Sequence, residues 1–456
     1  MNDRPVSDTP GGAGTTAPSA APRPAPAPPR PYHFPKFERV TLENGLGVIV
    51  APVHNLPVVT VLLVSDAGSS AEPAGLDGVA ALTARGLAEG SARHDGAALA
   101  ERFERLGATL ESAADWDVAR VGTTVLSTRL TDALALLAEV VMEPTFPERE
   151  IDRLRAERLA ELLQLRTEPR GLADEMFARF VYDPASRYSR PEHGGEEAVR
   201  ALTRADVARF HGERYRPGGS TLIIAGDVTV TEGVMRARDL FGAWSGRATP
   251  ATIPSATPAR ATRAVHLVPK PDAPQSELRI GHVGLPRSHP DYFKVLVMNA
   301  LLGGLFSSRI NLNLREVHGY TYGAFSGFEW RKGAGPFVVS TAVQSEVTAA
   351  AAREVLLEVD RMRAEPVKQD ELSLATSYLG GVFPIRYETT DSIARALAAL
   401  VTYDLPPDYF DSYRDNIRAV TIPDVLHAAE RYLHPEMMQI VVVGEEGVRG
   451  FDEWNG

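Results

Sequence analysis

The strongest constraint on this chain is an internal repeat. Leu202-Thr203-Arg204-Ala205-Asp206-Val207 leads into Arg214-Tyr215-Arg216-Pro217 and then Leu222-Ile-Ile-Ala-Gly226-Asp227. Val420-Thr421-Ile422-Pro423-Asp424-Val425 leads into Arg431-Tyr432-Leu433-His434-Pro435 and then Val441-Val-Val-Gly444-Glu445. The offset is 218 for Thr203/Thr421, Asp206/Asp424 and Gly226/Gly444, slipping by one at Tyr215/Tyr432. A threonine before a helix caps it and an aspartate in the first turn opposes the dipole, so each copy reads as a capped helix feeding a buried strand. Two tandem copies of one fold follow. The fold class is α+β, with two homologous αβ domains, each a mostly antiparallel sheet packed with helices.

A chain of 456 residues, 44% hydrophobic and 23% charged, has room for two such domains and the composition of a globular protein. Residues 1–35 form a Pro/Ala-rich tail unable to bury a core, with order beginning near Phe37. Residues 36–245 make the first domain, 246–262 a Pro/Ala/Thr/Ser linker, and 263–456 the second domain. Asn44-Gly45 predicts a two-residue hairpin between strands at 39–42 and 46–50. Further strands are expected at 58–64, within 109–128, and at 278–283. Helices are expected at 76–89, 97–106, along the Leu130, Leu134, Leu137, Val141 stripe, from Pro147 through Leu163, and from Asp291. A looser stretch follows around Tyr182 and Arg190-Pro191.

The net charge of −11 argues against nucleic acid or an anionic membrane as partner. Without cysteine there is no disulfide and no thiolate zinc site, so a metal would need His and carboxylate ligands. No two histidines stand at i, i+4, and surface or loop positions are expected for them. No run approaches the ~20 apolar residues of a membrane span. The N-terminus has no apolar core of a secretory signal, which favours the cytoplasm over the periplasm.

One stretch carries candidate chemistry: Asn313-Leu-Arg315-Glu-Val-His-Gly319-Tyr320-Thr-Tyr322-Gly323, after the loop Gly303-Gly304-Leu305-Phe306-Ser307. Arg315 is expected near the end of a short helix closed by Gly319, and Tyr322 at the start of a strand running to Trp330. Such a guanidinium and phenol can hydrogen-bond one extended substrate, at a carbonyl and at an oxygen that turns negative in acyl transfer. An exposed ion-paired Arg and a half-buried strand Tyr would look the same at this spacing.

The duplicated halves, the Leu314-Arg315-Glu316…Tyr320-Thr321-Tyr322 stretch and the Tyr-x-Pro…Gly-Asp ending of the first copy resemble the insulinase (pitrilysin-type, inverzincin) zinc peptidase family over about 37–444. The resemblance implies that the two domains form half of a clam-like chamber. Active members carry His-x-x-Glu-His in a Gly-x-Ala-His frame on a first-half helix. Here the frame Gly78-Val79-Ala80 is present, but Ala81 and Arg85 stand at the two His positions and Ala84 at the general base. The distant third ligand maps to Glu161, 76 residues past Arg85. One carboxylate beside a cation cannot hold zinc, so Glu161 is expected to pair with a cation, Arg85 among the candidates, or to be a plain polar helix residue.

In two-chain members, among them bacterial heterodimers and mitochondrial processing peptidase, the chain lacking the zinc motif carries an Arg-x6-Tyr pair and a glycine-bearing loop. Arg315 and Tyr322 match that pair, and Gly303, Gly304, Phe306 and Ser307 match the substrate-binding loop. The implied function is a non-catalytic subunit of a heterodimeric zinc metalloendopeptidase. It would have no cofactor of its own, with zinc in a His-x-x-Glu-His partner of the same family and a peptide as substrate. The linker 246–262 would act as hinge. The alternative is an inert scaffold or peptide-binding pseudo-peptidase in which Arg315 and Tyr322 are relics.

Overall fold

A computed structural model describes residues 31–447, 449–451 and 454. Residues 1–30 of the expected tail lie outside these. Phe34 is buried, its ring stacked on Phe410 at 4.3 Å and edge-on to Tyr387, so packing begins before Phe37.

The first sheet contains β1 (Glu38–Thr41), β2 (Gly47–Pro52), β3 (Val58–Ser65), β4 (Glu111–Ala114), β5 (Ala119–Leu126) and β6 (Ser220–Gly226). Their order is β1-β2-β6-β3-β5-β4, antiparallel except for β2 against β6. The second contains β7 (Ala264–Pro269), β8 (Ser276–Val283), β9 (Ala324–Phe328), β10 (Pro336–Val343) and β11 (Gln439–Gly444). Its order, β7-β11-β8-β10-β9, repeats the pattern, with β7 and β11 parallel. The repeated strands β6 and β11 are buried at every residue. Both faces are covered, which is why they read as unbroken apolar runs rather than alternating ones.

The first half carries α1 (Val79–Gly86), α2 (Gly96–Arg105), α3 (Leu130–Met142), α4 (Glu148–Thr167), α5 (Pro169–Val181), α6 (Glu196–Ala201), α7 (Arg204–Arg214) and α8 (Val230–Phe241). The second carries α9 (Tyr292–Asn299), the single turn α10 (Arg309–Asn311), α11 (Thr348–Ala364), α12 (Gln369–Arg386), α13 (Thr390–Thr402), α14 (Tyr409–Arg418) and α15 (Ile422–Tyr432). Both repeated helices have the capping box the sequence suggests: Thr203 with Asp206 on α7, and Thr421 with Asp424 on α15.

The halves exchange helices. α5 comes from the first half but packs on β8 and β11, and α13 comes from the second half but packs on β3 and β6. Phe177 of α5 lies over Gly281, where an added methyl would come within 3.0 Å of the ring. Ala173, Phe177, Val181 and Tyr182 form one cluster with Val441 and Val443. On the other sheet the Thr390 hydroxyl bonds that of Thr60 at 2.9 Å. His33–Gly456 is accordingly one compact unit.

This exchange bears on the expected hinge. Residues 246–262 form no helix or strand, but they are pinned along the first half. Asp183 donates its amide to the Thr257 carbonyl, Ala259 to Val181, and the Ser186 hydroxyl to Ser255. Several other expectations need correction, while the hinge role of 246–262 is left to an unfolding experiment. The Asn44-Gly45 turn is longer than two residues, because the Leu42 amide bonds the Leu46 carbonyl and the Asn44 side chain is drawn to the Phe241 and Trp244 carbonyls. α5 went unread. Leu163 is 69% exposed rather than part of the apolar face of α4. His282 is buried within β8, and burial pushes its pKa down to about 4; His211, packed on Phe146 and Tyr215, behaves alike. The stretch Tyr292–Val317 is, by length and composition, apolar enough to cross a membrane, contrary to the sequence reading. Its apolar window is 61% buried, the profile of a core helix.

Candidate functional site

α1 begins at Gly78, held at φ 99° with no room for a side chain, since a Cβ would stand 2.8 Å from the His193 carbonyl. Its free amides are capped by Glu72, whose Oε1 accepts from Gly78 and Ala80 at 2.9 and 3.0 Å. Oε2 accepts from Arg187 Nη2 and Nε at 2.7 and 3.0 Å. Burial pushes the Glu72 carboxyl up to about 7, against the pull of Arg187 and the two amides. Four donors on an acceptor-only group nevertheless leave no place for a proton, and the carboxylate form is the one this geometry fits.

In the last turn of α1, Arg85 faces α4 and donates to Glu161 Oε1 at 3.0 Å and Glu157 Oε2 at 2.8 Å. Arg158 adds a third contact, to Glu161 Oε2 at 3.3 Å. Ala84 is fully buried, its carbonyl taken by the Ser112 hydroxyl. Ala81, Arg85, Glu161 and His193 border a cavity of about 230 Å³ whose other walls include Leu82, Ala113, Val199 and Leu202. His193 Nε2 lies 3.1 Å from the Ala114 carbonyl, and burial, then Arg158, hold its pKa below the usual value. These residues do not fit zinc: Ala81 has no donor atom, and a guanidinium occupies the one carboxylate at the expected third position. Among the described residues no group of three His, Cys, Asp or Glu could hold a metal ion.

The second candidate region follows α9. The chain makes a π-helical turn, Ala300–Gly304, then the loop through Ser308, α10, and a second π-helical turn, Leu312–Val317, closed by Gly319 at φ 65°. Gly303 lies on β9, where a Cβ would sit 2.3 Å from Ser326 Oγ. Gly304, Phe306 and Ser307 are exposed. Arg309 forks onto Glu371 of α12 at 3.0 and 3.1 Å, fixing the far side of the loop.

The Arg315 guanidinium lies over the Phe306 ring at 4.5 Å, with Nε 3.4 Å from Glu316. Tyr322 is 93% exposed and makes no hydrogen bond among the described residues. It does not open the strand. β9 starts at Ala324, and Thr321 closes a turn onto Gly323 through bonds of 2.9 and 3.1 Å. Tyr320 instead stacks on His318. The fold therefore brings Arg315 to Phe306, while no hydrogen bond or cation–π contact joins Arg315 to Tyr322. Both polar tips remain available to a molecule arriving from outside.

Two asparagines here escaped the sequence reading. Asn299 donates to the Ser326 carbonyl at 3.1 Å and accepts from its hydroxyl at 2.8 Å. Asn311 accepts from the Ala324 amide at 3.0 Å and donates to the Phe306 carbonyl at 2.6 Å. They occupy polar groups of the edge strand β9. The available signal was an amide side chain at an otherwise apolar helical position.

Comparison with known proteins gives consistent results. The family model for insulinase (peptidase family M16) matches residues 48–187, and that for the peptidase M16 inactive domain matches 201–379. A protein of Rickettsia bellii described as an uncharacterized zinc protease is 24% identical over 420 residues, covering 91% of this chain and 99% of its own. The probable mitochondrial-processing peptidase subunit beta of Schizosaccharomyces pombe is 27% identical over 275 residues, 59% of each chain. A crystal structure of a peptidase M16 inactive domain from Pseudomonas fluorescens superposes with a TM-score of 0.85 at 27% identity, covering 91% of this chain and 99% of that one. A protease from Helicobacter pylori shares the fold, with a TM-score of 0.85 at 19% identity over 90% of this chain and all of its own. With two M16 models matching successive halves, and relatives aligned along nearly the full length, the chain belongs to the insulinase family, peptidase family M16.

Proposed function

We propose that this chain is a non-catalytic subunit of a heterodimeric zinc endopeptidase. The observation that carries the reading is a contrast within one molecule. Arg85 is locked onto Glu157 and Glu161 at the metal position, whereas Arg315 and Tyr322 present polar tips without a hydrogen-bonding partner among the described residues, apart from the long Arg315–Glu316 contact. A His-x-x-Glu-His chain of the same family would supply zinc, the attacking water and the base. Arg315, steadied on Phe306, would hold a peptide carbonyl, and Gly304 and Ser307 would face the peptide backbone. Tyr322 would donate to the oxygen that becomes negative, an interaction worth about 10²–10³ in turnover. On this reading the isolated chain would hold no zinc and would have no peptidase activity.

The test is peptide turnover by the chain with its co-purified zinc-motif partner, wild type against Tyr322→Phe, with equal complex formation verified. A fall of about a hundredfold or more in kcat, with peptide affinity little changed, supports the shared site. Unchanged turnover sinks it and leaves the inert scaffold, for which the Arg315–Glu316 and Arg315–Phe306 contacts would be structural only.

A further inference from the structure

We infer that Asn311 is a positioning residue that ties Arg315 and Tyr322 into one rigid unit; this rests on the reading of that pair given above. No hydrogen bond, ion pair or ring contact joins the two side chains among the described residues, so something else must fix their relative placement. Asn311 is 1% exposed and spans the gap. Its Nδ2 donates to the carbonyl of Phe306, whose ring carries the Arg315 guanidinium. Its Oδ1 accepts from the amide of Ala324, two residues past Tyr322. A carbonyl can only accept and an amide N–H only donate, so the orientation of the Asn311 side chain is dictated by its partners. Thr321 and Thr341 hold the Gly323 carbonyl on the other side, at 2.9 and 3.0 Å. The backbone around Tyr322 is thereby anchored while its ring projects outward. No other described side chain bonds both the Phe306 loop and the start of β9.

The amide is needed for both of its functions at once, and this makes the inference testable with a nearly isosteric change. In Asn311→Asp the ionised carboxylate still accepts from Ala324 but faces the Phe306 carbonyl with no proton to donate. Protonation restores a donor, so the variant should recover as pH falls. The experiment uses the complex with the zinc-motif chain and measures kcat and KM from pH 5.5 to 8, each value divided by wild type at the same pH. Hydrogen exchange over residues 304–309 is followed in parallel. Expected at pH 8 is a fall of about tenfold in kcat, a KM within about twofold, and faster exchange in the loop, all reversing toward pH 5.5. A residue that only stabilised the fold would change stability without a kcat-specific, pH-reversible loss. Wild-type turnover and exchange in Asn311→Asp at pH 8, while Tyr322→Phe keeps its large loss, overturns the inference and leaves the shared site standing. A loss that does not reverse at low pH overturns the hydrogen-bond account. Normal turnover in both variants overturns the shared site and the inference together.

Discussion

Asp117 sits where the β4–β5 turn meets the second half, accepting the Lys332 amide on Oδ2 at 3.0 Å while Oδ1 has no partner. Beside it the guanidinium groups of Arg187 and Arg331 lie over the Trp116 ring, at 5.1 and 4.4 Å. Burial pushes the Asp117 carboxyl up to about 6, and burial with Asp115 pushes Glu192 up to about 7. A carboxyl raised in the folded state contributes stability that is full below its unfolded pKa, near 4, and lost as pH rises through the folded value. Unfolding free energy should therefore fall between pH 4 and 7, by on the order of 2–3 kcal/mol for Asp117. Denaturant titrations should show Asp117→Asn reducing that slope, with the Glu192 part remaining. At the degenerate metal position, α1 and α4 already stand close enough for Arg85 to reach Glu161. The double variant Ala81→His/Arg85→His should then bind about one zinc per chain through two imidazoles and Glu161, measured by elemental analysis and calorimetry. No zinc uptake by a folded variant would mean that the helices have drifted apart as well as lost their ligands.

Among the elements, glycines that look alike in sequence differ once packed. Gly303 lies in a π-helical turn with Ser326 against it: an added Cβ would stand 2.3 Å from the hydroxyl and 2.7 Å from the backbone nitrogen. Gly303→Ala should cost about 1–3 kcal/mol, since the strand cannot yield as a flexible side chain would. Gly380, inside α12, meets nothing within 4 Å, so Gly380→Ala should be neutral or add about 0.4–1 kcal/mol. Urea unfolding of both variants checks the pair, and equal effects would contradict the packing described. The capping boxes were readable because a local pattern, Thr followed three residues later by Asp, makes the structure by itself. α5 was not, because its apolar residues face β8 and β11, strands of the other half that lie far ahead in sequence.

For the whole molecule, the exchange of α5 and α13 decides how the halves behave. Each sheet has one face covered by a helix from the other half, so a fragment of 31–245 would expose that face and the apolar side of α5. Expressed alone, it should aggregate or lack a cooperative transition. The full chain should unfold in one step, with fluorescence and far-ultraviolet dichroism coincident. Two separate transitions would show that the halves are independent and that 246–262 is a true hinge.

The sequence by itself determined the duplication, the caps, the buried strands β6 and β11, and the loss of zinc ligands at Ala81 and Arg85. Each of these is written locally, in spacing, in capping chemistry or in the absence of a donor atom. Tertiary structure alone decided the helix exchange, the burial of His282, the seating of Arg315 on Phe306 and the double role of Asn311. Those depend on segments brought together across the chain or on which face of an element meets another, and a linear pattern does not encode either.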